Sequence, residues 1–450
     1  MMTKDKSIIA VIVVVALVAA LSLINSNTKK IEIDNSQPLS IQSWKSDTGA
    51  KVMYVYAPQL PMVDIRLVFD AGSVRDKGLP GLAMMTNAML DLGAGDWSTD
   101  MIAERFDGVG AEFSNNSLKD MAILSLRSLT EEALLDTSIT TLNAILTKPK
   151  FIETEIQRTR EQVLISLRNH EQSTSTIASK AFYKALYSDH AYASPVMGAV
   201  ESINKITRDE LIDFYKKYYV ANNAVIAIVG DVDKSEAEDL VEQILKGLPE
   251  GEAAVQVDEV KPLNKAQKIH KTYPSSQTHI LVGQPGMKRG DEDYLALYVG
   301  NHILGGSGFG SRIVEEIREK RGLAYSSYSY FSPMRENGPF TLGLQTATKN
   351  TQQALTILDE VLREFIDVGP NEKELQHAKN NITGGFALKV DSNKDIIGYL
   401  GMIGFYNLPL DYLKTFNERV EQVTKEQIQT AFKRRIDPDK LITITVGNDQ

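Results

Sequence analysis

Ile206-Thr207-Arg208-Asp209-Glu210-Leu211 and Val423-Thr424-Lys425-Glu426-Gln427-Ile428 are the two segments on which the reading of the fold turns. They share a hydrophobic–Thr–basic–acidic order, and each is followed by a β-branched run that closes on glycine. The first run is Ala224-Val225-Ile226-Ala227-Ile228-Val229-Gly230-Asp231. The second lies in Leu441 to Asn448 and contains Ile442-Thr443-Ile444-Thr445-Val446-Gly447. Thr207 to Thr424 and Gly230 to Gly447 both span an offset of 217. Upstream, Leu82-Ala83 and Gly93 match Leu295-Ala296 and Gly306 at an offset of 213. A change of four is an ordinary loop difference. A domain-sized period is a duplication and not a solenoid.

Each half mixes strands and helices. Val52 to Tyr56 and Val63 to Phe69 read as strands on either side of a turn holding Pro58 and Pro61. Gly81 to Leu92, Glu132 to Leu146 and Glu153 to Tyr187 read as helical, and Val225 to Val229 as a strand. The second half repeats the order. It has a strand near Ile280, helices over Asp293 to Leu304 and Arg312 to Arg321, strands over Tyr325 to Tyr330 and Phe340 to Thr346, then long helices. Strands and helices are grouped rather than strictly alternating, so each half is expected to be α+β. The expected divisions are residues 38–246 and 267–450, joined by a linker over 247–266 that begins at Gly247-Leu248-Pro249-Glu250-Gly251.

Residues 1–30 stand apart. Ile8 to Ile24 is apolar except for Ser22 and follows Lys4 and Lys6, the pattern of an export signal or an uncleaved signal anchor. The expectation is a periplasmic body anchored to the inner membrane by this segment. No cysteine follows it, which excludes a lipoprotein.

The counts exclude several chemistries. In 450 residues, 43% hydrophobic and 24% charged, there is no cysteine. Disulfides, Cys-ligated zinc, iron–sulfur clusters and thiol catalysis are therefore excluded. A net charge of −9 argues against a nucleic-acid partner. The six histidines are His170, His190, His270, His279, His302 and His377, and no two stand at helical i, i+3 or i, i+4 spacing. Gly305-Gly306-Ser307-Gly308-Phe309-Gly310 is the richest glycine run. A helix precedes it, so it is not a dinucleotide fingerprint, and no Gly-Lys-Ser/Thr makes a P-loop. A nucleophile elbow would need glycine at Phe309. It reads as a flexible helix–helix connection whose glycines allow close backbone approach, and so suits a peptide-facing loop.

Arg312-Ile313-Val314-Glu315-Glu316-Ile317-Arg318-Glu319-Lys320-Arg321-Gly322-Leu323-Ala324-Tyr325 puts Ile313, Val314 and Ile317 on one face and places Gly322 to end the helix. By composition alone, Arg318 is a solvated helix residue and Tyr325 a half-buried strand residue. This run resembles the C-terminal-domain signature of the pitrilysin/insulinase family of zinc peptidases, which includes the mitochondrial processing peptidases and core subunits of a respiratory complex. The resemblance covers nearly all of Ile41 to Gly447, duplication included. Gly384, Asp391-Ser392-Asn393, Gly398-Tyr399-Leu400 and Leu408-Pro409-Leu410-Asp411-Tyr412 resemble its two-subunit bacterial branch. It implies two homologous processing-peptidase-like domains. It also implies that Arg318 and Tyr325 hold the substrate backbone, and Gly305, Gly306 and Gly308 of the peptide-facing loop are expected beside them.

The zinc half of the resemblance breaks. The family's H-x-x-E-H follows a Gly-Leu-Ala-like turn, and here Gly81-Leu82-Ala83 is followed by Met84-Met85-Thr86-Asn87-Ala88. Met84 and Ala88 hold the histidine positions and Asn87 that of the general base. A third ligand, Glu, is expected near Val163 to Leu167, a stretch without an acid; Glu161 lies just outside it. Met84, Met85, Met89 and Leu90 then read as core-facing. Two readings follow. In one, this chain is the non-catalytic, substrate-binding subunit of a heterodimeric zinc endopeptidase acting on unfolded peptides. A homologous active chain supplies zinc and base, and this chain needs no cofactor. In the other it is a structural or peptide-binding scaffold of the same fold, like the respiratory core subunits.

Overall fold

The computed structural model describes residues 40–449, and the expected N-terminal anchor lies outside them. Among the described residues no helix is long and apolar enough to cross a membrane. The first half contributes strands β1 (Gln42–Lys45), β2 (Lys51–Tyr56), β3 (Met62–Phe69), β4 (Glu112–Ser117), β5 (Ala122–Leu129) and β6 (Ala224–Gly230). Its helices are α1 (Leu82–Ala88), α2 (Thr99–Asp107), α3 (Glu132–Thr147), α4 (Glu153–His170), α5 (Thr174–Tyr187), α6 (Val200–Ile203), α7 (Arg208–Tyr218) and α8 (Lys234–Leu245). The second half contributes β7 (Gln267–Thr272), β8 (Gln277–Pro285), β9 (Ala324–Phe331), β10 (Pro339–Ala347) and β11 (Ile442–Gly447). Its α-helices are α9 (Tyr294–Asn301), α10 (Arg312–Val314), α11 (Thr351–Val368), α12 (Glu372–Phe386), α13 (Asn393–Phe405), α14 (Tyr412–Glu421) and α15 (Lys425–Arg435).

The strands form two sheets, ordered β1-β2-β6-β3-β5-β4 and β7-β11-β8-β10-β9. With β1 set aside the two orders superimpose strand for strand. Each sheet has one parallel pair, β2 with β6 and β7 with β11, and every other pair is antiparallel. The duplication seen as a sequence offset is thus a duplication of topology. Its markers are alike in atomic detail. Thr207 opens α7 with a capping box in which its backbone N–H donates to Glu210 Oε2 at 2.7 Å and its hydroxyl accepts from Glu210 N. Thr424 opens α15 with the same box, closed by Gln427 at 2.9 Å.

The expected helix over Glu153 to Tyr187 is two helices, broken at residues 171–173. The break matters, because the second piece leaves its own half. On β2, β3 and β6, alternate residues such as Val52, Tyr54, Val63, Ile65, Leu67, Ile226 and Ile228 join a core with α1, α3, α7 and α8. The residues between them face α13 of the other half. A side chain at Gly404 would place its Cβ 2.5 Å from Val225 Cγ1 and 2.8 Å from Met53 Cγ, and one at Gly401 would lie 3.2 Å from Val68 Cγ2. In return, Ala178, Phe182 and Leu186 of α5 pack with Leu281, Ile442, Ile444 and Val446 of the second sheet. The halves have exchanged one helix each.

The 247–266 connection has neither helix nor strand, but it is tied at both ends. Pro249 O accepts from Ala221 N at 2.8 Å, while Val260 belongs to the core under α5 and Asp258 O bonds the His190 ring at 2.8 Å.

Glycine at 404 is required by close approach. Gly404→Leu is expected to overpack the α13–sheet contact and destabilise the chain by ~1–3 kcal/mol, read as a lowered Tm. Gly384 lies inside α12, and an added Cβ there meets nothing within 4 Å. Gly384→Ala is expected to raise stability by ~0.5–1 kcal/mol, because alanine loses less backbone entropy in a helix. Equal tolerance at both positions would refute the close-packing account.

Candidate substrate-holding site

Helix α1 starts where its backbone is tied down. Gly81 stands in the left-handed region at φ 95°, and a Cβ there would lie 2.6 Å from Ile203 Cδ1. Asp76, buried, caps the first turn: its two carboxylate oxygens accept from Gly81 N at 2.9 Å and Ala83 N at 2.8 Å. Burial pushes the Asp76 carboxyl up to about 7, against the opposing pull of those two amides.

The face of α1 is built for packing. Met85, Met89 and Leu90 are fully buried, as read from the sequence. Met84 departs from that reading: it and Ala88, one turn on, are only half-buried. Asn87 is 1% exposed and its amide is fully used. It donates to Asn116 O at 2.7 Å and accepts from the Tyr219 hydroxyl at 3.2 Å. Asn115, beside it on β4, donates to Asp91 at 2.8 Å. The Asn87 position is therefore a cross-link between α1 and the edge strand β4, which the sequence reading did not foresee. On α4, Val163 and Leu167 are buried, Ile165 is exposed, and Glu161 faces solvent. A thioether, a methyl group and a committed amide do not make a zinc site. Among the described residues no three His, Asp or Glu side chains gather as a metal would require.

The second half arranges its polar groups differently. After α10 the chain continues as a π-helical turn, Glu315–Glu319. Gly322, at φ 60°, ends it as the sequence implied: Gly322 N donates to Arg318 O and Leu323 N to Ile317 O, both at 2.9 Å. Most cations here are committed. Arg312 grips Glu374 at 2.7 and 2.8 Å, and Lys320 and Arg321 both bond Glu316. Arg318 is the exception. Its guanidinium makes no hydrogen bond to a described residue, and its one ionic neighbour is Glu319 at 3.5 Å.

Tyr325 is brought to Arg318 by a β-bulge. Ser327 pairs with Leu344, whereas Ala324 pairs with Thr346, so two residues of β9, Tyr325 and Ser326, oppose the single Gln345 of β10. The extra residue turns Tyr325 out of the sheet to 84% exposure, correcting the half-buried reading. The Arg318 guanidinium carbon lies 4.6 Å from the centre of the Tyr325 ring. It lies 4.5 Å from the ring of Phe309, on the other partner element, the glycine-rich loop.

That loop is not uniformly open. Gly305 and Gly306 end a π-helical turn, His302–Gly306, rather than a flexible connection. Gly305 is buried, and a Cβ there would lie 2.6 Å from Ser329 N of β9, so its close approach serves internal packing and corrects the expectation that it faces a peptide. Gly306 and Gly308 are exposed. Arg318, Tyr325 and the outer loop therefore form one surface at the open edge of the second sheet, where β9 pairs with β10 alone. Phe309 is part of it and escaped the sequence reading, which attended to the glycines around it.

Residues 51–200 match the family model described as insulinase (peptidase family M16), and residues 205–382 match that described as the peptidase M16 inactive domain. A crystal structure described as the peptidase M16 inactive domain from Pseudomonas fluorescens is 40% identical in sequence and covers 92% of this chain and 98% of its own, with a TM-score of 0.89. The chain belongs to peptidase family M16. Its relatives in this family differ in what they are called. An "uncharacterized zinc protease YmxG" of Bacillus subtilis is 25% identical over 390 residues, 86% of this chain and 93% of that one. A "non-peptidase homolog YmxG" of Helicobacter pylori is 26% identical over 406 residues, 89% and 92% of the two chains. A solved protease from Helicobacter pylori, 16% identical, shares the M16 fold with a TM-score of 0.83 over 91% of this chain and 100% of its own.

The Asp76 cap predicts a pH dependence. From its ordinary value of 3.8 up to about 7, the folded chain keeps a proton that the unfolded chain has released. Stability contributed by this group is full below the lower value, falls as pH rises through the window by up to ~1.4 kcal/mol per unit, and levels off above it. Asp76→Asn is expected to remove that slope. The test is the difference in Tm between wild type and mutant from about pH 4 to about pH 7.5; a flat difference would contradict the assignment.

Proposed function

We propose that this chain is the non-catalytic, substrate-holding subunit of a heterodimeric zinc endopeptidase that acts on unfolded peptides. A partner chain of family M16 supplies the zinc and the general base. In this reading Arg318 and the Tyr325 hydroxyl donate to carbonyls of an extended peptide lying along the open edge of β9, and Gly306 and Gly308 form the rim. The N-terminal apolar segment holds the assembly on the inner membrane with its body in the periplasm.

One observation carries the reading. Among the cations of its helix, Arg318 alone makes no hydrogen bond to a described residue, its nearest acid being Glu319 at 3.5 Å, whereas Met84, Asn87 and Ala88 stand where the resemblance puts the zinc residues and Asn87 is committed to structure. A half-buried guanidinium that lies against two aromatic rings and makes no hydrogen bond to a described residue is suited to a ligand that accepts hydrogen bonds. The names "inactive domain" and "non-peptidase homolog" carried by similar proteins agree with the loss of chemistry.

Affinity purification of the full chain from its native cell is expected to recover an M16 chain with an intact H-x-x-E-H. Recovery of a stable assembly without one would favour the scaffold reading. The purified chain alone is expected to hold no stoichiometric zinc, and one tightly bound zinc would overturn the proposal. Arg318→Ala is expected to lower turnover of unfolded peptides by the reconstituted pair ~10–100-fold, the worth of a charge-assisted hydrogen bond, with assembly intact. Normal turnover by that mutant pair would remove Arg318 from the site.

A further inference from the structure

The glycine-rich loop ends in a feature that glycine composition does not explain. Phe309 is 70% exposed, and its ring lies against the guanidinium of Arg318. Gly308 and Gly310 flank it at φ 67° and 93°, and a Cβ at either would meet nothing within 4 Å. These two glycines are therefore required by their left-handed backbone and not by close approach. Their conformation sets where Phe309 points.

With Phe309 and Tyr325 at 4.5 and 4.6 Å, the guanidinium carbon has two aromatic neighbours. Contact between a ring and the flat face of arginine leaves the in-plane N–H groups free to donate. Arg318 makes no hydrogen bond to a described residue, its Nε standing 3.5 Å from the Glu319 carboxylate. A long side chain held this way also loses less rotamer entropy on binding.

We infer that Phe309 is a positioning residue: it holds the Arg318 guanidinium in a fixed plane so that its N–H edge meets the carbonyls of a bound peptide. The loop acts through this one ring. The inference rests on the proposed substrate-holding role of Arg318 and deepens it.

The test uses the full-length chain and a fluorescein-labelled unstructured peptide of about 20 residues, with affinity read by anisotropy. Phe309→Ala is expected to weaken binding ~3–10-fold, the range of a cation–π contact. Phe309→Tyr and Phe309→Trp are expected to bind like the wild type, whereas Phe309→Leu, apolar but without a π face, is expected to resemble the alanine variant. In an Arg318→Ala background, Phe309→Ala is expected to cost nothing further. Wild-type binding by Phe309→Ala or Phe309→Leu, or an additive loss in the double mutant, would overturn the inference. If Arg318→Ala itself binds like wild type, the substrate-holding reading fails first. If Arg318→Ala is weak and Phe309→Ala is not, only the role of Phe309 falls. Circular dichroism of each variant separates these outcomes from misfolding.

Discussion

Each sheet of this chain has two apolar faces, and helices of its own half cover one of them. β6 shows the demand most plainly: every residue from Ala224 to Gly230 is buried, so both faces of that strand must be covered. The second cover comes from the other half, α13 over the first sheet and α5 over the second. Neither half can therefore bury its sheet alone. At ~25 cal/mol per Å2 of apolar surface, exposing one such face would cost a large part of the stability of a domain. The duplication is better described as one core system with two sheets than as two domains on a tether.

The exchange brings the ends of α5 and α13 to one polar seam. Asp120, in the turn before β5, accepts hydrogen bonds from Tyr192 OH at 2.7 Å, Tyr406 OH at 3.0 Å and Arg335 N at 2.7 Å. These three donors follow α5, end α13 and lie between β9 and β10. Arg335 also pairs with Asp70 at 3.0 Å, and Asp70 pairs with Arg75 at 2.7 Å. Lys119, held down to about 8 by burial, donates to Tyr192 O at 2.9 Å. Buried charges left unpaired would be costly, so this network selects one docking of the halves even if it adds little net stability. Its first-half side ends at Arg75, next in sequence to Asp76, the cap of α1.

What the sequence made legible was what repeats locally. The 217-residue offset picked out paired capping boxes and paired central strands because a cap and a two-sided strand each write a short pattern. Gly322 was legible because a left-handed helix end selects glycine. The helix exchange was not, since the apolar stripe of α5 states that a face will be buried and not against which sheet. The bulge at Tyr325 was missed for a related reason: the Tyr- and Ser-rich run from Tyr325 to Tyr330 reads as a strand, and only the register with β10 reveals the extra residue. Phe309 was hidden by its neighbours, whose glycines suggested that the backbone was the business end of the loop.

Loss and retention in the two halves follow different physics. On α1, Met84, Asn87 and Ala88 carry no ionisable group that a metal would be needed to neutralise. Asn87 makes two hydrogen bonds that tie α1 to β4 and to Tyr219, which follows α7. Around Arg318 the direction is opposite: Tyr325 and Phe309 are largely exposed aromatic rings, and the guanidinium lying against both makes no hydrogen bond to a described residue. Exposed aromatics and unspent donors contribute little to folding, whereas both contribute to binding an extended chain. The first half spends its polar groups on structure, whereas the surface around Arg318 is the one the proposed role in holding a peptide would use.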